Sequence, residues 1–185
     1  KRMGNALLSS SSETNSVSTF IDYAFIEDDD YNLGKSGRQW FGDVFDVQTS
    51  YSYSFSMPNI VNTDMISVYA KIVGSASSNG TSYTLASGGN SLDIPVGTSG
   101  TGTYAPLGKS VTGVLDYIGN GNSVDVQITY NKNGLSSSKG WLDCIEVNVP
   151  RALTMTGSQM EFRDIASVGL GNISRFSIGN VTDIH

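Results

Sequence analysis

The sequence predicts an all-β chain folded as an antiparallel, jelly-roll-like β-sandwich of about ten strands. Three observations predict it. First, residues 45–57 alternate strictly. Phe45, Val47, Thr49, Tyr51, Tyr53, Phe55 and Met57 fall on one parity, and Asp46, Gln48, Ser50, Ser52, Ser54 and Ser56 on the other. Successive strand side chains point to opposite faces, so this run has one apolar, aromatic face and one wet face. Second, strand-prone runs are separated by turn signals: Asn79-Gly80, Gly88-Gly89-Asn90, Gly119-Asn120-Gly121-Asn122 and Asn133-Gly134. Third, no segment shows the spacing of an amphipathic helix, and a parallel sheet would need helical crossovers.

The elements follow in order. Residues 1–16 are polar and Ser-rich and read as a lead-in, with residues 17–185 forming a single β-sandwich domain whose C-terminal end leads toward a further domain. Residues 17–26 are strand-prone through Phe20, Ile21, Tyr23, Phe25 and Ile26, and Glu27-Asp28-Asp29-Asp30 interrupts them. The run 45–57 spans roughly 40 Å at about 3.3 Å per residue, the length of a bent or central strand. Met57-Pro58-Asn59 is expected to break it. Residues 64–76 alternate through Ile66, Val68, Ala70 and Ile72, and Asn79-Gly80 predicts a hairpin into 81–86. Residues 91–96 carry Pro95, which lacks a donor and marks an edge strand or a strand end. In 104–118, Gly108 and Gly113 suggest a bulge. Residues 123–130 alternate through Val124, Val126, Ile128 and Tyr130, and 141–149 place Trp141, Ile145, Val147 and Val149 on one parity. Short strands at 151–156, 159–163 and 173–178 complete the set.

Composition excludes several function classes. Of 185 residues, 38% are hydrophobic and 15% charged, with 21 glycines, a balance suited to a turn-rich extracellular domain. The net charge of −6, with no run of Lys or Arg, argues against a nucleic-acid partner, whose phosphates need a basic surface. No apolar stretch reaches the roughly 20 residues that span a bilayer, so no direct membrane insertion is expected. The single cysteine excludes an intrachain disulfide, and Cys144 reads as a small buried residue. A thiol nucleophile needs a base, and the only histidine is His185 at the end of the sequence, so no Cys–His site is predicted. The spacing of Glu27 to Asp30 matches no calcium loop and reads as a solvated turn. The Gly/Ser/Thr loop 97–102 lacks the Lys-Ser/Thr pair of a phosphate-cradling motif. Catalytic residues, a metal site and a cofactor are accordingly not predicted.

The candidate site is the stretch Ser36-Gly37-Arg38-Gln39-Trp40-Phe41-Gly42-Asp43. Arg38, Trp40, Phe41 and Asp43 are its candidate interface residues, because Trp and Arg favour interface hot spots. Two readings stay open. In one, the loop recognises a partner. In the other, Trp40 and Phe41 close one end of the sandwich and Arg38 pairs with Asp43 or a backbone carbonyl. Tyr51, Tyr53 and Phe55 share the parity of Phe45 and read as core rather than as a sugar-stacking platform. Trp141 reads as core too. Asp143 and Glu146 stand on opposite parities, so a regular strand would not present them as an acid–base pair.

Two blocks carry a family resemblance: Ser36-Gly37-Arg38-Gln39-Trp40-Phe41-Gly42-Asp43, and the later Trp141-Leu142-Asp143-Cys144-Ile145-Glu146-Val147-Asn148-Val149-Pro150-Arg151-Ala152-Leu153 continuing to Gln159-Met160-Glu161-Phe162-Arg163. Together with Asn172-Ile173-Ser174-Arg175-Phe176, they resemble the region ahead of the peptidase domain in PorU-type sortases. These are gingipain-family cysteine peptidases of the Bacteroidetes type IX secretion system. Gln39 departs from the pattern, which has an acid there, and Asp43 replaces the more usual Glu. The resemblance implies a non-catalytic accessory domain on the extracellular face of the outer membrane. Its implied partners are a downstream peptidase domain carrying the catalytic Cys and His, and secreted cargo proteins. The alternative reading is a stand-alone carbohydrate-binding or adhesin-like sandwich.

Overall fold

The computed structural model describes residues 12–35, 37, 39–77, 80–99 and 106–181. Thirteen strands lie among them: β1 Asn15–Val17, β2 Thr19–Ile26, β3 Tyr31–Asn32, β4 Trp40–Phe41, β5 Val44–Phe45, β6 Ser50–Ile60, β7 Ile66–Ser75, β8 Thr81–Ser87, β9 Asn90–Val96, β10 Lys109–Tyr117, β11 Gly121–Asn131, β12 Lys139–Ala152 and β13 Ser174–Phe176. The fold is all-β, as predicted. Nine strands form one antiparallel sheet in the order β10-β7-β12-β6-β11-β8-β9, with β2 and β5 also paired to β12. Two small sheets accompany it, β3 with β4 and β1 parallel to β13.

The long sheet curls into a sandwich. One layer is β10, β7, β12 and β2; the other is β6, β11, β8 and β9. The two ends of the path meet: a Cβ on Gly113 of β10 would strike Ile94 and Leu92 of β9. That close approach, not a bulge, is why glycine stands at 113, since β10 pairs with β7 in unbroken register from Lys109 to Tyr117. Between the layers lie the alternating apolar residues, among them Val68, Ala70 and Ile72 of β7, Ile145 and Val147 of β12, and Val126 and Ile128 of β11. Tyr83 is fully buried here, and its hydroxyl donates to the carbonyl of Val73 at 2.7 Å. Gly140 leaves room for that hydroxyl, which a Cβ would overlap.

Several sequence expectations change in three dimensions. The run 45–57 is not one strand. It breaks after Phe45, and Val47, expected on the core face, is 98% exposed in the connecting bend. Asp46 anchors that bend, pairing with Lys139 at 2.6 Å and Lys132 at 3.1 Å. In turn, β6 runs on through Pro58 and Asn59 to Ile60. Asn59 adopts φ 64° and donates its N–H to Asn122 at 3.0 Å, beside a register shift between Gly121 and Ser123. A bulge therefore absorbs the proline that should have ended the strand. The hairpin expected at Asn79-Gly80 does not form. Asn79 lies outside the described residues, and the flanking β7 and β8 pair with different strands in opposite layers. The Gly88-Gly89 turn does close a hairpin, with Ser87 opposite Asn90 and both glycines at positive φ. Pro95 does sit on an edge, since among the described residues β9 pairs with β8 alone. No strand forms over 159–163. The strand expected over 151–156 is instead the end of β12, which passes straight through Pro150.

Arg151 fastens the two layers. The pair Arg151–Ile60 is where β12 and β6 meet in register, and Val61 N–H donates to the Pro150 carbonyl at 3.0 Å. The Arg151 side chain is buried. Its Nε donates to the Pro58 carbonyl at 2.6 Å, its Nη1 pairs with Asp22 of β2, and its guanidinium lies 5.4 Å from the centre of the Phe20 ring. One cation thus ties β12, β2 and β6 at the seam. A buried pair broken on one side leaves its partner uncompensated.

Two outcomes follow. Arg151→Ala is expected to lower stability by about 3 kcal/mol in urea unfolding. For Asp46, hydrogen bonds from Lys139 and then Lys132 hold the carboxyl below its usual range. A depressed native pKa contributes stability above the unfolded pKa and loses it as pH falls through the folded value, here from about pH 4 downward. Asp46→Asn is therefore expected to flatten the acid limb of a urea-midpoint profile while shifting the neutral midpoint down.

Candidate interaction site on the aromatic loop

Residues 31–35 and 39–43 form a small lobe on the outside of the sandwich. Tyr31 pairs with Phe41 and Asn32 with Trp40. The Asn32 side chain spans the intervening loop, with Nδ2 donating to the Gln39 carbonyl at 3.0 Å and Oδ1 accepting from Gly37 N–H at 3.3 Å. Gly37 has φ 70°, which favours glycine. Ser36 and Arg38 lie outside the described residues, so the expected Arg38 pairing has no structural counterpart here.

The remaining candidate residues divide sharply. Phe41 is buried at 2% exposure and packs with Val73 and Trp141, flanked by Leu33 and Val44. Trp40, its strand neighbour, points the other way and is 45% exposed. Asp43 is the anchor: its carboxylate accepts from the Tyr53 hydroxyl at 2.7 Å. Burial, and then this bond, raise the Tyr53 pKa strongly, so the phenol stays a donor at neutral pH. The Tyr51 hydroxyl donates to the Val44 carbonyl at 2.9 Å, and its ring meets Phe45 edge-on at 5.0 Å. Tyr51 and Tyr53 pack against the main core, as their parity predicted, and their hydroxyls hold the loop. The backbone adds two bonds to β12: Gly42 N–H to the Leu142 carbonyl at 2.8 Å, and Leu142 N–H to the Asp43 carbonyl at 2.9 Å.

A bulge in β12 creates the floor of the lobe. The β12–β7 register shifts between Leu142 and Cys144, leaving Asp143 unpaired in the ladder. This reverses the expected parity upstream of the bulge. Leu142 joins the main core, and Trp141 turns to the opposite side under Phe41. Asp143 swings outward to Lys71 at 2.6 Å, and this bond raises the Lys71 pKa. Asp143, bonded to Lys71, and Glu146, paired opposite Tyr69, border one outer face rather than two. Beside the loop is a cleft of about 430 Å³ lined by Leu33, Gln39, Phe41, Lys71, Leu107 and Asp143 among others. It has an apolar floor and one ion pair at its rim. Sequence parity could not reveal this cleft, because a bulge leaves no composition signal of its own.

Cys144 is half-buried rather than buried as expected, because it stands on the outer parity of β12. Burial, then Asp143 and Glu146, raise its pKa, which favours the unreactive thiol. His185 lies outside the described residues. Among those described, no three His, Cys, Asp or Glu side chains are grouped to hold a metal.

The fold and the lobe define a class: an antiparallel β-sandwich with an outer lobe anchored by Phe41 that leaves Tyr31 and Trp40 exposed. Over 92% of its length the chain is similar in fold to dimeric latent PorU from Porphyromonas gingivalis, with a TM-score of 0.76 and 21% identity. The fold is therefore PorU-like, and the chain spans 16% of that protein's length. Two carbohydrate-binding modules are far more distant. They are CBM35 from Cellvibrio japonicus Abf62 (TM-score 0.43, 13% identity, 73% of this chain and 97% of that one) and a CBM36 in complex with calcium and xylotriose (TM-score 0.41, 13% identity, 68% and 98%). Neither bears on function at that distance. No protein-family model and no curated protein matches the chain.

Phe41→Ala is expected to cost about 3–4 kcal/mol in urea unfolding, and Trp40→Ala under about 1 kcal/mol. Tyr53→Phe is expected to fall between them, at about 1–2 kcal/mol, by leaving Asp43 unpaired.

Proposed function

We propose that this chain is a non-catalytic accessory β-sandwich of a cell-surface, gingipain-family cysteine peptidase of the PorU type, which processes type IX secretion cargo. The observation that carries the reading is the fold correspondence. It takes in nearly all of this chain but a small part of a much longer protein. The sequence blocks that resemble such sortases also have physical roles in the fold. Phe41, Gly42 and Asp43 clamp the loop, and Arg151 locks the seam. In this reading the parent protein sits on the extracellular face of the outer membrane, and its catalytic Cys and His belong to a downstream domain.

The role assigned to the loop is contact. Phe41 fixes the lobe to the sandwich and leaves Trp40 exposed beside it. An amphipathic ring with little conformational freedom left to lose is a good interface anchor. Its partner in this reading is the peptidase domain of the same protein, with cargo as a further partner.

Two measurements decide. The coding sequence beyond His185 is expected to encode a Cys/His peptidase domain, and a stop codon or an unrelated domain would sink the proposal. In the full-length protein, Trp40→Ala is expected to reduce cargo processing and lower the thermal midpoint. If both stay unchanged, the loop is not the contact. Glycan-array binding that depends on Trp40 would favour the carbohydrate-binding alternative instead.

A further inference from the structure

We infer that β2 is a strand-addition site for an extended segment of a partner polypeptide, one with alternating apolar side chains and a basic end. Among the described residues β2 pairs with β12 alone, in unbroken register from Thr19 to Ile26. In an antiparallel pair, alternate residues turn both backbone groups away from the neighbour. Here those residues are Thr19, Ile21, Tyr23 and Phe25. The Tyr23 N–H already turns outward and takes the side chain of the adjacent Asp22 at 2.9 Å, whereas the Ser18 carbonyl turns inward to Leu153 N–H. The remaining outward groups form a ready ladder.

Protein edges are normally blunted by lysine, proline, a bulge or a cover. None of the first three is present in β2, and its one charge, Asp22, is engaged by Arg151 and the Tyr23 N–H. Instead it displays Ile21, Tyr23 and Phe25, each at least half exposed, with the Tyr23 and Phe25 rings stacked at 5.7 Å. An added strand would set its own outward side chains beside these three.

Features at the two ends of β2 define the partner's chemistry. At the Thr19 end, a hollow of about 770 Å³ opens between β2 and the C-terminal segment, lined by Phe20, Ile21, Phe162, Ile165, Val168 and Phe176 among others. It suits an apolar side chain. At the other end, Ile26 runs into Glu27, Asp28, Asp29 and Asp30, all exposed and, among the described residues, none in an ion pair. Four like charges beside an open edge favour lysine or arginine on the incoming segment. They also disfavour a second copy of this acidic chain.

The test uses a fluorescent peptide of about eight residues, alternating valine and threonine and ending in two lysines, titrated by anisotropy against this chain. Saturable binding is expected, about tenfold weaker when the lysines are replaced by glutamates or when Glu27→Gln, Asp28→Asn, Asp29→Asn and Asp30→Asn are combined. N-methylation of alternate peptide amides is expected to abolish binding, and Phe25→Lys to weaken it. The peptide comparisons need no protein variant, so misfolding cannot mimic them. Absence of saturable binding, equal binding of the glutamate or N-methylated peptide, or self-association lost on Phe25→Lys would each overturn the proposal, the last by making a second copy the occupant.

Discussion

The buried guanidinium of Arg151 is the constraint on which the architecture rests. A sheet that curls into a sandwich must have a seam where its two halves meet. Here the seam is a short contact between β12 and β6 rather than a long ladder. Arg151 supplies there what the ladder lacks: a bond to the backbone of β6, an ion pair with β2, and a stack on Phe20. A lysine could not reproduce this, because a planar fork reaches three directions at once and an ammonium does not.

From the seam, β12 carries the organisation to the opposite end of the molecule. Near its start, one extra residue at Asp143 rotates the side chains before it by one parity. The consequence is two cores instead of one: Leu142 faces the sandwich interior, and Trp141 founds the satellite cluster beneath Phe41. The same bulge pushes the Asp143 carboxylate out to Lys71 and shapes the cleft beside the loop. Loop, cleft and satellite core are thus one device. That is why Phe41 is buried and Trp40, adjacent in sequence, is exposed.

Much of this was legible in the residues. Period-two alternation marked β6, β7, β11 and much of β12, because burial on one face demands it locally. Gly88-Gly89 marked a real hairpin, since two positive-φ residues are needed to reverse the chain there. The loop at 36–43 stood out because two adjacent aromatics between glycines are costly in water. Less legible were the places where one residue is inserted or withdrawn. Val47, Asn59 and Asp143 each sit at such a place: Val47 and Asp143 defeated a parity count, and β6 ran on through the Pro58-Asn59 expected to end it. Arg151 was not singled out either, because a lone arginine near a strand end carries no periodic signal.

The sequence by itself determined the class: all-β, antiparallel, acidic, with an aromatic loop set on a strand. These are consequences of local steric preference and of which faces must leave water. Only the tertiary structure decided which strands pair, that β7 and β8 lie in opposite layers, and which aromatic faces solvent. Those outcomes depend on contacts between residues far apart in the chain, such as Arg151 with Asp22 and Lys71 with Asp143. No local pattern encodes the distance between them.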